Sequence, residues 1–129
     1  MPPITELTRI EPVHLARIEN QGIFTTGLLL EVSETPTRRQ YLADQVDASI
    51  NDVSAWRDEA LLLNLASFGP NEHQLFMQAG VEGLRDLLAL SREGLQERIH
   101  RAATELNLEP PPSIMLDTWW DQARTLEEE

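Results

Sequence analysis

The chain carries the same short pattern twice, and this duplication constrains its fold more than any other feature. Residues 7–23 read LTRIEPVHLARIENQGI, and residues 65–81 read LASFGPNEHQLFMQAGV. Pro12 aligns with Pro70, Gly22 with Gly80 and Ile23 with Val81, each 58 positions apart. In each copy a proline opens a short helix at its first turn and a glycine closes it. A second echo follows at a spacing of 63, where Val53, Trp56, Ala60 and Leu63 recur as Leu116, Trp119, Ala123 and Leu126. A chain that repeats itself in this way is built from a duplicated helical unit. The units divide as residues 1–66 and 67–129.

Punctuation between the echoes places further helices. A first one is expected over Ile4–Arg9, and a second runs from Pro12 to Gln21. A third follows Thr25 and Thr26 as far as Val32. Thr35 and Pro36 open a fourth, with Thr as N-cap and Pro at the first helical position. Ser49 and Asp52 have the spacing of a capping box, Asp standing in for Glu. In the second unit Gly69-Pro70 opens a helix closed by Gly80, a short helix surrounds Leu84, Leu87 and Leu88, and Ser91 caps a longer one. Pro110-Pro111-Pro112 interrupts the chain, because consecutive prolines cannot continue a helix. This run is the expected home of the five residues that widen the repeat spacing. Ser113 then caps the last helix, whose end at Leu126–Glu129 is expected to fray. No stretch alternates apolar and polar residues with β-branched enrichment. The fold class is all-α, with the two units packed as one compact domain around a shared core.

Charge narrows the function. Twenty-two acids oppose ten basic residues, all of them arginine, and the net charge is −12. Residues 1–60 carry ten acids and five Arg, and residues 61–129 carry twelve and five, so no basic lobe is hidden in the average. DNA affinity scales with the phosphates a protein neutralises, so nucleic acid is an unfavourable partner. The acidic surface reads either as a solubilising face or as one suited to a basic partner protein. There is no cysteine, which excludes disulfides and thiolate metal sites. The longest aliphatic run, Ala60 to Leu63, is far too short for a bilayer span. The segment MPPITELTRI lacks signal-peptide features, so a cytoplasmic location is expected.

The strings LTRIEPVHL and LASFGPNEH resemble the hairpin of helix-hairpin-helix modules, Leu-Pro-Gly-Ile-Gly-Pro followed by a helix ending Ala-Gly-Ile. Thr35-Pro36, Arg38-Arg39, Leu42-Ala43, Trp56 to Ala60, Pro112-Ser113 and Trp119 to Ala123 extend the likeness. Together they resemble the domain of unknown function 4332 family, recorded mainly in bacteria and similar to two tandem helix-hairpin-helix units. The likeness implies a fold and no activity. Where the hairpin pattern has glycine, this chain has Arg9 and Glu11 ahead of Pro12, and Ser67 and Gly69 ahead of Pro70. Glu11 is expected to put a carboxylate where a phosphate would sit. The second hairpin is sterically open to an anion but flanked by Glu72 and Glu82.

Other candidates are weaker. Glu11/His14 and Glu97/His100 have the Glu-x-x-His spacing of dimetal helices, yet lack two further glutamates, and solvated side chains are the simpler reading. His73 follows Glu72 without a second histidine four residues on, so no zinc-protease pattern exists. No nucleophile elbow or phosphate-binding glycine loop is present. No catalytic residue, metal or cofactor is expected. Trp56 and Trp119 read as core anchors. Trp120 aligns with Arg57, which places it near the surface as an edge residue or, with Asp117 and Asp121, as an anchor for a basic partner. Arg38-Arg39 is the single adjacent basic pair and reads as a solvated face. The expected function is a non-catalytic protein-interaction or adaptor role. The alternatives are a nucleic-acid-associated protein using the second hairpin, and a carboxylate-rich metal enzyme.

Overall fold

Each stretch opened by proline and closed by glycine is a helix in the structure. The computed structural model describes residues 2–126 and divides into two compact units, Met1–Asn64 and Leu65–Glu129. The expected fraying at Leu126–Glu129 falls mostly outside the described residues. In unit 1 a 3-10 turn, Ile4–Glu6, precedes α1 (Pro12–Asn20), α2 (Thr26–Val32), α3 (Pro36–Val46) and α4 (Ile50–Leu63). Unit 2 contains α5 (Pro70–Gln78), α6 (Leu84–Leu88), α7 (Arg92–Leu106) and α8 (Ser113–Thr125). Among the described residues there is no strand, and one isolated bridge pairs Pro3 with Thr25. The protein is all-α.

Local chemistry explains the boundaries. Pro12 and Pro70 occupy the first turns of α1 and α5, where a missing N–H costs nothing. Gly22 and Gly80 follow those helices at φ +82° and +80°, a left-handed conformation that favours glycine. The next residue then donates back into the helix, Ile23 N–H to Ile18 O at 3.3 Å and Val81 N–H to Phe76 O at 2.8 Å. These bonds satisfy otherwise orphaned carbonyls at both helix ends. Thr25, Thr35, Ser49 and Ser91 each cap their helix through the side-chain oxygen.

The capping box at α4 is reciprocal. Asp52 N–H donates to Ser49 Oγ and Ser49 N–H to Asp52 Oδ2, both at 3.0 Å. The backbone and hydroxyl of Ser49 hold the Asp52 carboxyl below the ordinary aspartate pKa. A depressed folded-state pKa stabilises above the unfolded value and is lost as pH falls through the folded one. Ser49→Ala is expected to cost about 1 kcal/mol. The loss caused by Asp52→Asn at neutral pH is expected to shrink as pH falls below about 4. Denaturation of the variants at pH 7 and pH 3 checks both.

Three expectations are corrected. The first helix ends at Glu6 rather than Arg9, because Leu7 turns extended at ψ 130°. Ser113 does not cap α8: it is the first helical residue, and Pro112, locked at φ −57°, is the N-cap. The Pro112 carbonyl accepts from Met115 and Leu116 at 2.9 and 3.2 Å. Finally, the prolines are not the sole home of the extra residues, since α7 has 15 residues where α3 has 11. Both of these helices end on a left-handed residue, Asp47 and Asn107, 60 positions apart.

Within unit 1, α4 packs on α2 and α3, and α3 touches α1. Within unit 2, α7 packs on α5 and α8, and α6 on α8. The stripe read from spacing is the buried face of each closing helix, Val53, Trp56, Ala60 and Leu63 in α4 and Leu116, Trp119 and Ala123 in α8, except that Leu126 is the half-buried C-cap of α8. Phe68, Phe76 and Trp119 stack edge-to-face with centroids 4.8–5.7 Å apart.

Candidate functional site

The hairpins ahead of α1 and α5 are where a helix-hairpin-helix protein would meet phosphate, and both are already occupied from within. In unit 1 the amides of Thr8 and Arg9 face the carboxylate of Glu59, which projects from α4. Thr8 N–H lies 2.9 and 3.0 Å from its two oxygens, and Arg9 N–H 3.0 Å from Oε1. The Thr8 hydroxyl donates to Oε2 at 2.5 Å. Glu59 is fully buried. Converging amides of this kind form an anion-binding concavity, and the anion it holds is a side chain of the same unit.

Unit 2 repeats the arrangement in weaker form. Ala66, the counterpart of Thr8, donates its N–H to Gln122 Oε1 at 3.0 Å. Gln122 lies 63 positions after Glu59, the spacing of the tryptophan pair, and occupies the same place on the closing helix. The Ala66 carbonyl accepts from Trp119 Nε1 at 2.7 Å. Gly69 N–H, the amide left accessible by the surviving glycine, donates to Glu72 Oε1 at 2.8 Å. Ser67 stands at φ +60°, keeping the left-handed turn that glycine would adopt freely, whereas Arg9 has no positive φ.

Glu11 is not the carboxylate that fills the first hairpin. It is exposed and serves as N-cap through its carbonyl, which accepts from Leu15 at 2.9 Å, with no side-chain cap bond. Arg9 instead pairs with Asp58 at 2.9 Å. Glu59 and Gln122 stand in no recognisable motif, although the sequence carries a signal for both. Each lies three residues after a core tryptophan and therefore on the buried side of its helix, an unusual place for an acid or an amide.

Trp120 is half-buried, Asp117 likewise, and Asp121 is exposed. The Trp120 indole N–H donates to Leu90 O at 2.9 Å, just past the end of α6. The guanidinium carbons of Arg124 and Arg92 lie 3.4 and 4.6 Å from its ring centroid. Arg92 also pairs with Asp121 at 2.7 Å, and Asp117 accepts from Gln96 at 3.4 Å. The three residues thus share one face of α8, each with a partner inside unit 2.

An arginine at the sister position does not mark a surface, contrary to expectation, because Arg57 is only 7% exposed. Its guanidinium donates to Leu30 O at 2.8 Å and Ser33 Oγ at 3.1 Å, near the end of α2. Arg57 and Trp120 therefore perform similar structural tasks, Arg57 donating to a carbonyl in the last turn of α2 and Trp120 to one just past the end of α6. Trp120→Ala is expected to destabilise unit 2 by about 1–2 kcal/mol through the lost hydrogen bond and cation–π contacts. Thermal denaturation of the variant measures it.

The Glu-x-x-His pairs lie in different units. Glu11 and His14 belong to unit 1, Glu97 and His100 to unit 2. His14 stacks on Trp56 at 5.4 Å, Glu97 pairs with Arg101 at 3.1 Å, and His100 Nδ1 contacts Gln96 O at 2.7 Å. His73 is buried. Among the described residues no group of three or more His, Asp or Glu is placed to hold a metal ion. No described helix is long and apolar enough to cross a membrane. Arg38 and Arg39 both face carbonyls at the α2–α3 turn, Arg38 at Glu31 O and Arg39 at Ser33 O and Glu34 O.

The chain is an all-helical protein of two compact units, and in each unit the turn ahead of its first α-helix donates to a side chain of its last helix. The family described as Domain of unknown function (DUF4332) matches residues 8–126, and the chain belongs to that family. No curated protein and no solved structure matches it.

Proposed function

We propose that the protein is a non-catalytic interaction module whose partner is another protein. One observation carries this reading: the hairpin amides that would meet a nucleic-acid backbone donate instead to Glu59, Gln122 and Glu72. An incoming phosphate would have to displace a carboxylate or amide already seated, and do so against a net charge of −12. What the surface offers is acidity of the kind that steers a basic partner. Trp120, Asp117 and Asp121 form a rim of the proposed contact rather than its anchor, since the indole is held internally. A cytoplasmic setting suits a cysteine-free acidic chain.

Two measurements test the reading. Titration of duplex DNA at low salt should show no saturable complex, and none tighter than roughly millimolar at physiological salt. Affinity capture from the native host should recover one stoichiometric protein that survives nuclease treatment and is released by raised salt. A micromolar DNA complex with a steep salt slope would overturn the proposal, because it would require neutralised phosphates at hairpins that are internally filled.

A further inference from the structure

Unit 1 has an apolar groove whose counterpart positions in unit 2 are joined by polar links. A cavity of about 410 Å³ opens between the end of α1, α2 and α3. Ile23 and Leu42, both buried, form its base. Leu28 and Val32, four residues apart on α2, make one wall. Tyr41, 65% exposed, stands on α3 with Arg38, so the lining is apolar apart from that guanidinium, the tyrosine hydroxyl and the amides of Gln21 and Gln45.

The repeat supplies the comparison. Aligned on Gly22/Gly80, the counterparts of Gln21 and Leu28 are Ala79 and Asp86. Aligned on the left-handed ends of α3 and α7, those of Arg38, Tyr41 and Gln45 are Arg98, Arg101 and Glu105. In unit 2 Arg98 reaches Ala79 O at 3.4 Å, and Gln78 bonds Glu105 at 3.2 Å. Two polar links thus span the place where unit 1 is open. Two of the lining residues, Leu28 and Tyr41, are charged in the sister copy, so the apolar lining belongs to unit 1 alone.

We propose that this groove binds a small apolar acid, a hydrocarbon body carrying one carboxylate. The volume lies within the range of small-molecule pockets, which are apolar with a few placed polar groups. Arg38 is the one charged residue of the lining. One guanidinium nitrogen donates to Glu31 O at 3.2 Å, and the ion pair with Glu34 is long, 3.8 Å, with both side chains more than half exposed. Such a pair contributes little and yields readily to a ligand carboxylate with better geometry. The net charge of −12 selects against polyanions and leaves a monoanion tolerable at physiological salt. This site is independent of the adaptor reading.

The test uses the full chain with octanoate, octanol and octylamine, followed by backbone amide NMR shifts. Octanoate should shift Ile23, Leu28 and Leu42 saturably at roughly millimolar concentration, the range expected of so small a ligand. Octylamine should bind at least about tenfold more weakly, since it puts a cation against Arg38. Arg38→Gln should weaken octanoate about tenfold, the loss expected of one charge-assisted hydrogen bond, and leave octanol unchanged. Leu28→Asp, which installs the residue that the sister unit carries, should abolish binding of all three without unfolding the protein. Octanoate binding that ignores Arg38→Gln, or that falls outside the groove, would overturn the proposal. Failure of all three probes would overturn it too, and would leave the groove to a helix of a partner protein.

Discussion

Glu59→Ala is expected to be among the most damaging single substitutions in unit 1, costing about 3–5 kcal/mol. The carboxylate accepts from two backbone amides and one hydroxyl, all belonging to Thr8 and Arg9. Removing it takes away the acceptor that these donors share, a side chain that is itself fully buried. Glu59→Leu should cost nearly as much, because it fills the volume and still satisfies no donor. Glu59→Gln should fall between wild type and alanine. An amide supplies one acceptor oxygen and turns an N–H₂ toward the remaining donors. Gln122 shows that an amide suffices where a single N–H, that of Ala66, must be accepted. Chemical denaturation gives the totals, and hydrogen exchange at Thr8 and Arg9 locates them. A loss below about 1 kcal/mol for the alanine variant would show that solvent satisfies the hairpin amides.

That site also marks where sequence reading stops. Caps are local: Thr25, Thr35, Ser49 and Ser91 each satisfy an amide three residues away, so spacing alone locates them. Gly22 and Gly80 are legible for the same reason, since only a left-handed residue ends a helix in that way. The Trp56 and Trp119 stripes are legible through helical periodicity. The Glu59–hairpin contact is not, because it joins residues 51 apart and depends on how α4 packs in unit 1. Missing it also misplaced the end of the first helix. The chain leaves helical geometry at Leu7 and aims the Thr8 and Arg9 amides at Glu59 instead of continuing the turn. Arg57 misled for a related reason. Arginine on a helix is usually solvated, but a guanidinium that reaches orphaned carbonyls can be buried, as at Leu30 O. The sequence places Leu28 and Val32 on the third helix, and only the packing shows them half-exposed in the groove.

The second large effect is expected at Trp119. Trp119→Ala should destabilise unit 2 by about 3–5 kcal/mol, as large-to-small changes in a packed core do. The indole is 2% exposed and meets Phe68 and Phe76 edge-to-face, with centroids 5.4 and 5.7 Å away. Its N–H donates to Ala66 O at 2.7 Å, fastening the second hairpin to α8. Trp119→Phe separates these contributions. Phenylalanine keeps most of the aromatic packing but abandons the Ala66 carbonyl, so a loss of about 1–2 kcal/mol is expected from the hydrogen bond and the smaller ring. The same variant should raise hydrogen exchange at Ala66 and Gly69, because both amides belong to the hairpin that the indole holds. In unit 1 Trp56→Ala should cost a similar amount for its buried volume, without exposing the Thr8 and Arg9 amides, which Glu59 secures. Equal exchange at both hairpins in the two alanine variants would contradict this division: a carboxylate latch in unit 1, and an indole latch supported by an amide in unit 2.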